Sequence, residues 1–284
     1  MPKTIKFFAF DCAAPAHMSS GLWRHPEDRG HEYTSIKYWI EYAQLLEKAC
    51  FDGIFFANND GYHDVYKGSV DESLKDAAQI PMNEPAYIIP AMAAVTQYLG
   101  FGVTASTAYD HPYTLARKFS TLDHLTDGRI AWNLVTSYTN SAAKNLGSGQ
   151  QREHDDRYAH ASEFLDVTFK LWEGSWDDDA VVLDRANSVY VRPDRVHEIQ
   201  HQGTHFNVPG IFVCEPSVQR TPVIFQAGGS SRGVELAASS AEVVFMSLSN
   251  KAALKKQITQ LRAKAVEFGR NPEHIACLLY TSDA

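Results

Sequence analysis

LGFGVTASTAYDHPYTLARKFSTLDHLTDGRIAWNLVT, residues 99–136, reads as strand, helix, strand. Residues 101–108 are rich in apolar and β-branched side chains and run out to a polar tip. Pro112 then opens a helix, at a position where its missing N–H costs nothing. Leu115, Phe119, Leu122 and Leu125 recur at helical spacing and predict one buried face. Asp127-Gly128 punctuates the end of that helix. Residues 129–135 form a second, almost continuous apolar run, as a strand covered on both faces of a parallel sheet requires. A right-handed crossover of this kind is the repeating unit of α/β barrels. Thr104, Ser106 and Thr107 end the first strand; Asn133, Thr136 and Ser137 end the second. Barrel active sites sit at the C-terminal ends of the strands, so these small polar side chains are predicted to line a pocket floor.

Outward from this unit the alternation continues. Residues 3–10, 51–57, 221–227, 242–248 and 275–280 are predicted strands. Residues 33–49, 84–97, 152–172 and 251–268 are predicted helices, and a further one starts within 233–239. Ile36, Trp39, Ile40, Ala43 and Leu46 share an apolar face, and Pro90 is expected to bend its helix. Residues 62–83 read as a polar covering loop and 140–151 as a loop of small residues. Residues 175–217 break the rhythm and read as an inserted β-rich excursion. The long loop 12–34 carries His17, Trp23, Arg24, His25 and His31. Loops of that length are usually functional or disordered; packing of Trp23 and His25 at the barrel mouth stands beside a functional role as an equal reading. His17, Trp23 and His111 are pocket-mouth candidates on loop position alone. Seven strands can be counted, and a closed barrel needs eight. The last residues, CLLYTSDA, resemble the translated read-through of a sequencing adapter. The expectation is an α/β chain, residues 1–284, forming a single (β/α)8 TIM-barrel domain truncated before its last strand and ending in a foreign tail.

Composition narrows the function. With 44% hydrophobic and 12% aromatic residues a large core can be buried, and a net charge of -8 argues against a nucleic-acid surface. The first apolar stretch is broken by Asp11 and His17, unlike a signal peptide, and no run reaches the roughly 18 apolar residues of a membrane span. Cys12, Cys50, Cys214 and Cys277 are scattered without CxxC spacing and read as reduced, structural residues of a cytoplasmic protein. His197, His201 and His205 are irregularly spaced for zinc, so no metal is expected. Nucleophile-elbow, zincin, Walker and dinucleotide-fingerprint motifs are absent from the sequence.

Two stretches point to an anion. Residues 221–227 run as a strand into Gly228-Gly229-Ser230-Ser231 and then a helix. Unpaired N–H groups and the helix dipole make such a junction a phosphate site; a plain glycine turn with serine N-caps is the alternative. His154 and Tyr158 lie four apart on EHDDRYAHASEF and share a helix face, although such a helix is also compatible with simple solvation.

FFANNDG (55–61), GFGVTAST (100–107), STLDHLTDGR (120–129), WNLVTS (132–137), HDDRYAHASEF (154–164), KLWEGSWDDDA (170–180) and QAGGSSRG (226–233) occur in that order. Together they resemble the bacterial-luciferase-like flavin monooxygenases. Within these, the match is to the branch of nitrilotriacetate monooxygenase component A, desulfurisation sulfone monooxygenase and dimethyl-sulfide monooxygenase. The resemblance covers nearly the whole chain. It implies a luciferase-type barrel, with reduced FMN delivered by a separate NAD(P)H:flavin reductase. It further implies O2 and a small organosulfur or amine-type molecule as substrates, and a homodimer. It places Asn58, Thr104, Ser106 and Asn133 at the isoalloxazine ring and His154, Tyr158, Ser230 and Ser231 at the ribityl phosphate. Asn58 departs from the acidic residue common at that position, and Asp60 either supplies a nearby carboxylate or shapes the turn. Arg24 is the one obvious early-loop arginine, which favours a neutral substrate. A non-catalytic flavin-binding relative and a deazaflavin-dependent hydride-transfer enzyme are the competing readings.

Overall fold

The computed structural model describes residues 5–247 and 250–279. Lys3 and Thr4 of the first expected strand, Leu248 of the sixth, and residues 280–284 of the expected tail lie outside the described residues. In chain order the elements are β1 (Phe8–Cys12), α1 (Ile36–Lys48), β2 (Gly53–Ala57), α2 (Asp71–Asp76), α3 (Ile89–Ala93), β3 (Gly100–Ser106), α4 (Pro112–Thr126) and β4 (Ile130–Val135). There follow α5 (Asn140–Asn145), α6 (His154–Phe169), the strands β5 (Val181–Asp184), β6 (Val189–Val191), β7 (His201–Gln202) and β8 (Asn207–Val208), then β9 (Val223–Ala227), α7 (Ser231–Ser240), β10 (Val243–Met246), α8 (Lys251–Glu267) and β11 (Ala276–Leu279). The long strands are hydrogen-bonded in the order β1-β2-β3-β4-β9-β10-β11. Each sheet neighbour is therefore the next long strand along the chain. That is the winding of a β/α barrel; a doubly wound sheet reverses order at a switch point. Among the described residues no helix is long and apolar enough to cross a membrane.

The chain divides into two compact units. The first comprises Met1–Ala105, Leu122–Ala131 and Ser137–Arg152. Here β1, β2 and β3 pair in parallel, with Phe8 opposite Gly53 and Gly53 opposite Gly100. Trp39, Ala43 and Leu46 of α1 are buried as the periodicity requires, and the Trp39 ring meets Phe56 of β2 at 5.4 Å. Ile36, at the helix start, is exposed. Arg129 ties the unit together: its guanidinium donates to the carbonyls of Thr126, Leu99 and Ala93 and to Thr96 Oγ1. The predicted helix over 84–97 is instead a 3-10 turn, Pro85–Tyr87, followed by α3. A continuous α-helix would need the residue at 90 to donate an N–H to Ala86, and proline has none; Pro90 sits in the first turn of α3 rather than bending a longer helix. The predicted small-residue loop opens with α5. It packs against Gly61, where a Cβ would lie 2.4 Å from Thr139 Oγ1 and 2.8 Å from the Ala142 nitrogen.

The second unit comprises Ser106–Thr121, Trp132–Thr136 and Glu153–Ala284. Its core is aromatic: Trp132 meets Phe119 at 5.7 Å, Phe164 at 6.0 Å and Trp172 at 6.2 Å. β9, β10 and β11 pair in parallel, Val243 standing opposite both Phe225 and Ala276. The excursion is two antiparallel ladders, β5-β6 and β7-β8. Glu163 of α6 anchors the second by accepting the N–H groups of Thr204, His205 and Phe206. α6 passes into a π-helical turn at Lys170–Gly174 instead of running on to Trp172 as an α-helix. One expected core residue of α4 is not buried: Leu125 is 59% exposed, whereas Thr126 is fully buried. At about 100° per residue, position 126 lies roughly 20° from Leu115 and position 125 roughly 80° away.

Candidate active site

In the second unit β9 ends at Ala227 and the chain passes through Gly228-Gly229 to Ser230, the N-cap of α7. Ser230 Oγ accepts the Gly233 N–H at 3.1 Å. A capping hydroxyl satisfies one of the first four helical N–H groups; the others point out of the helix end. Gly228 and Gly233 are pressed together, since a Cβ on either would lie 3.0 Å from the other's Cα. A Cβ on Gly233 would also lie 3.1 Å from Tyr158 Oη. Tyr158, in the second turn of α6, thus reaches the turn, with its Oη 3.5 Å from Ser230 Oγ. His154 stands one helical turn earlier, its ring 5.0 Å from that of Tyr158. Tyr158, Ser230 and Ser231 therefore meet at one helix N-terminus, with His154 beside Tyr158 on α6. A hydrogen bond from His154 first, and then the charge of Arg232, hold the Asp155 carboxyl below its usual range against the opposing effect of burial. Arg232 in the first turn of α7 opposes the helix dipole and is paired with Glu235 at 3.2 Å. Ser106 and Asn133 belong to the same unit but stand on strands, outside the α6–α7 cluster. Ser106 ends β3, its Oγ accepting the Ala108 N–H at 3.1 Å, and Asn133 is buried in β4.

The sequence reading missed Gln226. It is 2% exposed in β9, and among the described residues its Oε1 has no hydrogen-bond partner. An apolar run that contains one glutamine was the available signal.

In the first unit Asn58 follows β2. Its Nδ2 donates to Glu84 Oε2 at 3.0 Å and its Oδ1 accepts the Asn59 N–H at 3.0 Å. The amide suits a neighbouring carboxylate, where an acid would face like-charge repulsion. Thr104 is buried, and its hydroxyl donates to the Phe56 carbonyl at 2.9 Å. His17 lies 4.1 Å from Phe10, ring to ring, and burial lowers its pKa. Gln79 Nε2 donates to the His17 carbonyl at 3.4 Å, and its Oε1 lies 3.2 Å from His63 Nε2. Glu84, His63 and Gln79 were invisible in the sequence because their partners are 16 to 62 residues away. Arg24 lies 4.9 Å above the half-exposed Trp23 ring and is paired with Asp76.

Five further histidines have structural partners. His111 caps α4, its Nδ1 accepting the Tyr113 N–H at 3.2 Å. His197 meets Asp177 at 3.1 Å. The buried His201 lies between Glu163 at 3.3 Å and Asp166 at 3.4 Å, and His205 packs on His160 at 5.1 Å.

A phosphate fits the α7 junction on the observations of this structure: an N-terminal helix end, the Ser230 and Tyr158 hydroxyls, and Gly229, on which a Cβ would meet nothing within 4 Å. Strand winding and junction together define an α/β-barrel type of protein with a glycine- and serine-rich turn between a strand and a capped helix. The chain belongs to the luciferase-like monooxygenase family, whose model matches residues 18–282. A crystal structure of long-chain alkane monooxygenase superposes with a TM-score of 0.96 at 52% identity, covering 98% of this chain and 64% of that one. Dimethyl-sulfide monooxygenase of Hyphomicrobium sulfonivorans is 50% identical over 275 residues, 97% of this chain and 57% of its own length. A crystal structure of riboflavin lyase with modified FMN and riboflavin gives a TM-score of 0.92 at 36% identity, covering 98% of this chain and 62% of that one. The chain thus spans about three fifths of the length of these relatives.

Proposed function

We propose that this chain is the flavin-binding barrel domain of a two-component monooxygenase. It takes reduced FMN from a separate NAD(P)H:flavin reductase and, with O2, oxygenates a small organosulfur or amine-type molecule inside the cell. The carrying observation is the α7 junction: Tyr158 reaches Ser230 at a turn where Gly228 and Gly233 pack closely against each other. His154, Tyr158, Ser230 and Ser231 hold the phosphate. Asn58, Thr104, Ser106 and Asn133 are assigned to the ring by family resemblance, as is a homodimeric state.

Bound reduced flavin supplies the electrons that activate O2 for transfer of one oxygen atom. The protein's part is to bind, orient and exclude water. The pairing of Arg24 with Asp76 supports a neutral substrate, since it removes the early loops' obvious anion receptor.

The test is anaerobic titration of the purified chain with reduced FMN, reduced riboflavin and a reduced deazaflavin. Labelled O2 is then admitted with a panel of sulfides, sulfones and amines. FMN-selective binding and a product carrying one labelled oxygen support the proposal. Flavin binding without product supports the binding-protein reading, and preference for a deazaflavin supports hydride transfer.

A further inference from the structure

We propose that Gln226 is a positioning residue of the flavin site, and that its amide oxygen accepts a hydrogen bond from a hydroxyl of the ligand's polyol chain beside the phosphate. The inference rests on the phosphate assignment above and extends it. Gln226 lies at the end of β9, almost wholly buried, where a strand side chain packs at no cost only if it is apolar or bonded. Val244 stands beside it in register on β10 and is buried as well. Among the described residues the Oε1 of Gln226 has no partner. Buried carbonyl oxygens are almost always satisfied, and one left over in a native fold calls for a specific explanation.

Its position supplies that explanation. A Cβ on Gly228 would lie 2.8 Å from Gln226 Nε2, so the amide that carries the unpartnered oxygen lies next to the first glycine of the turn. The same Cβ would lie 3.0 Å from the Gly233 Cα, so the glycine that opens onto Gln226 is the one against which α7 begins. The donors at this junction, the helix-end N–H groups and the Ser230 and Tyr158 hydroxyls, suit an anion. The orphan here is an acceptor, and a fully ionised phosphate has no proton to give it. A phosphate monoester of a polyol carries both features, with anionic oxygens for the donors and a hydroxyl one or two carbons away for the acceptor. Inorganic phosphate satisfies only the first.

The test uses the purified chain and the variants Gln226→Leu and Gln226→Glu, titrated with FMN, riboflavin and inorganic phosphate, with a thermal melt of each ligand-free protein. Wild type should bind FMN more tightly than riboflavin. Gln226→Leu should weaken FMN and riboflavin alike, by about tenfold, because both carry the polyol. It should leave competition by inorganic phosphate unchanged and raise the melting temperature, since the orphaned oxygen is gone. Gln226→Glu places a charge under the turn and should weaken FMN more than riboflavin. Unchanged flavin affinity in Gln226→Leu, or a lowered melting temperature with proportionally lost binding of all three ligands, overturns the inference in favour of a structural glutamine. Equal binding of FMN and riboflavin by wild type is a separate outcome: it removes the phosphate assignment itself.

Discussion

Gly233 is a helical glycine whose replacement by alanine should run against the usual sign. In an ordinary helix that change is stabilising by roughly 0.5–1 kcal/mol. Here the added methyl would lie 3.0 Å from the Gly228 Cα and 3.1 Å from Tyr158 Oη. Backbone cannot give way as a flexible side chain does, so Gly233→Ala should destabilise by about 1–3 kcal/mol and weaken FMN binding. Denaturant melts and a flavin titration check both. The double variant Ser230→Ala, Ser231→Ala should cost roughly 1–3 kcal/mol of FMN affinity with riboflavin affinity unchanged. The loss of the Ser230 cap should lower stability by about 1 kcal/mol, and equal loss of both flavins would remove the serines from the phosphate site. The serines, the glycine pair and the His154–Tyr158 spacing were legible because each is a local pattern. Gln226 was not, because a lone glutamine within an apolar strand carries no periodic signal. Glu84 was hidden for a different reason: its bond to Asn58 spans 26 residues of chain.

At the level of elements, the reading succeeded where hydrophobic period and punctuation agreed, as in α4, which runs from Pro112 to just before the left-handed pair Asp127-Gly128. It failed where tertiary packing set the outcome. α5 is too short to show a period, and it is held by Ser141, whose hydroxyl donates to the Tyr62 carbonyl at 2.7 Å and accepts the Tyr62 N–H at 2.9 Å. Two connections in the fold depend on single charged side chains. Arg129 satisfies three carbonyls and a hydroxyl around the start of β3. Arg129→Met should leave those groups unpaired and cost about 3 kcal/mol, and Arg129→Lys should not restore it, because an ammonium lacks the planar fork. Chemical denaturation of the three proteins is the measurement. Glu163 plays the matching part for β7 and β8. Burial alone would push its carboxyl up, but the N–H groups of Phe206 and His205 and the His201 ring hold it below the usual range.

For the molecule as a whole, ionisation of partly buried carboxyls should shape stability against pH. Burial raises the Asp11 carboxyl to about 6, against smaller lowering effects from the Cys12 N–H and the Tyr42 hydroxyl. Burial also raises Glu242, opposed by the Ile224 N–H and Arg270. A carboxyl raised in the folded state holds its proton more tightly there than in the unfolded chain. The fold is therefore favoured below the unfolded value and loses that advantage as pH rises through the folded value. For Asp11 the loss falls between roughly pH 4 and the value of about 6. Glu163 acts in the opposite sense, since a lowered carboxyl stabilises above its unfolded value and that stability disappears as pH falls. Glu47 joins it: burial works against its ionisation, but the N–H groups of Tyr98, Gln97 and Leu99 outweigh it and hold the carboxyl low. The melting temperature should therefore peak on the acid side of neutrality, fall towards pH 7 as Asp11 ionises, and fall again in stronger acid. Asp11→Asn should flatten the limb above the peak while leaving the acid limb in place. Glu198→Gln, which removes one exposed carboxylate, changes net charge equally and should leave the profile unaltered. If both variants flatten the upper limb to the same degree, the fall belongs to the repulsion of a chain with net charge -8 and not to Asp11.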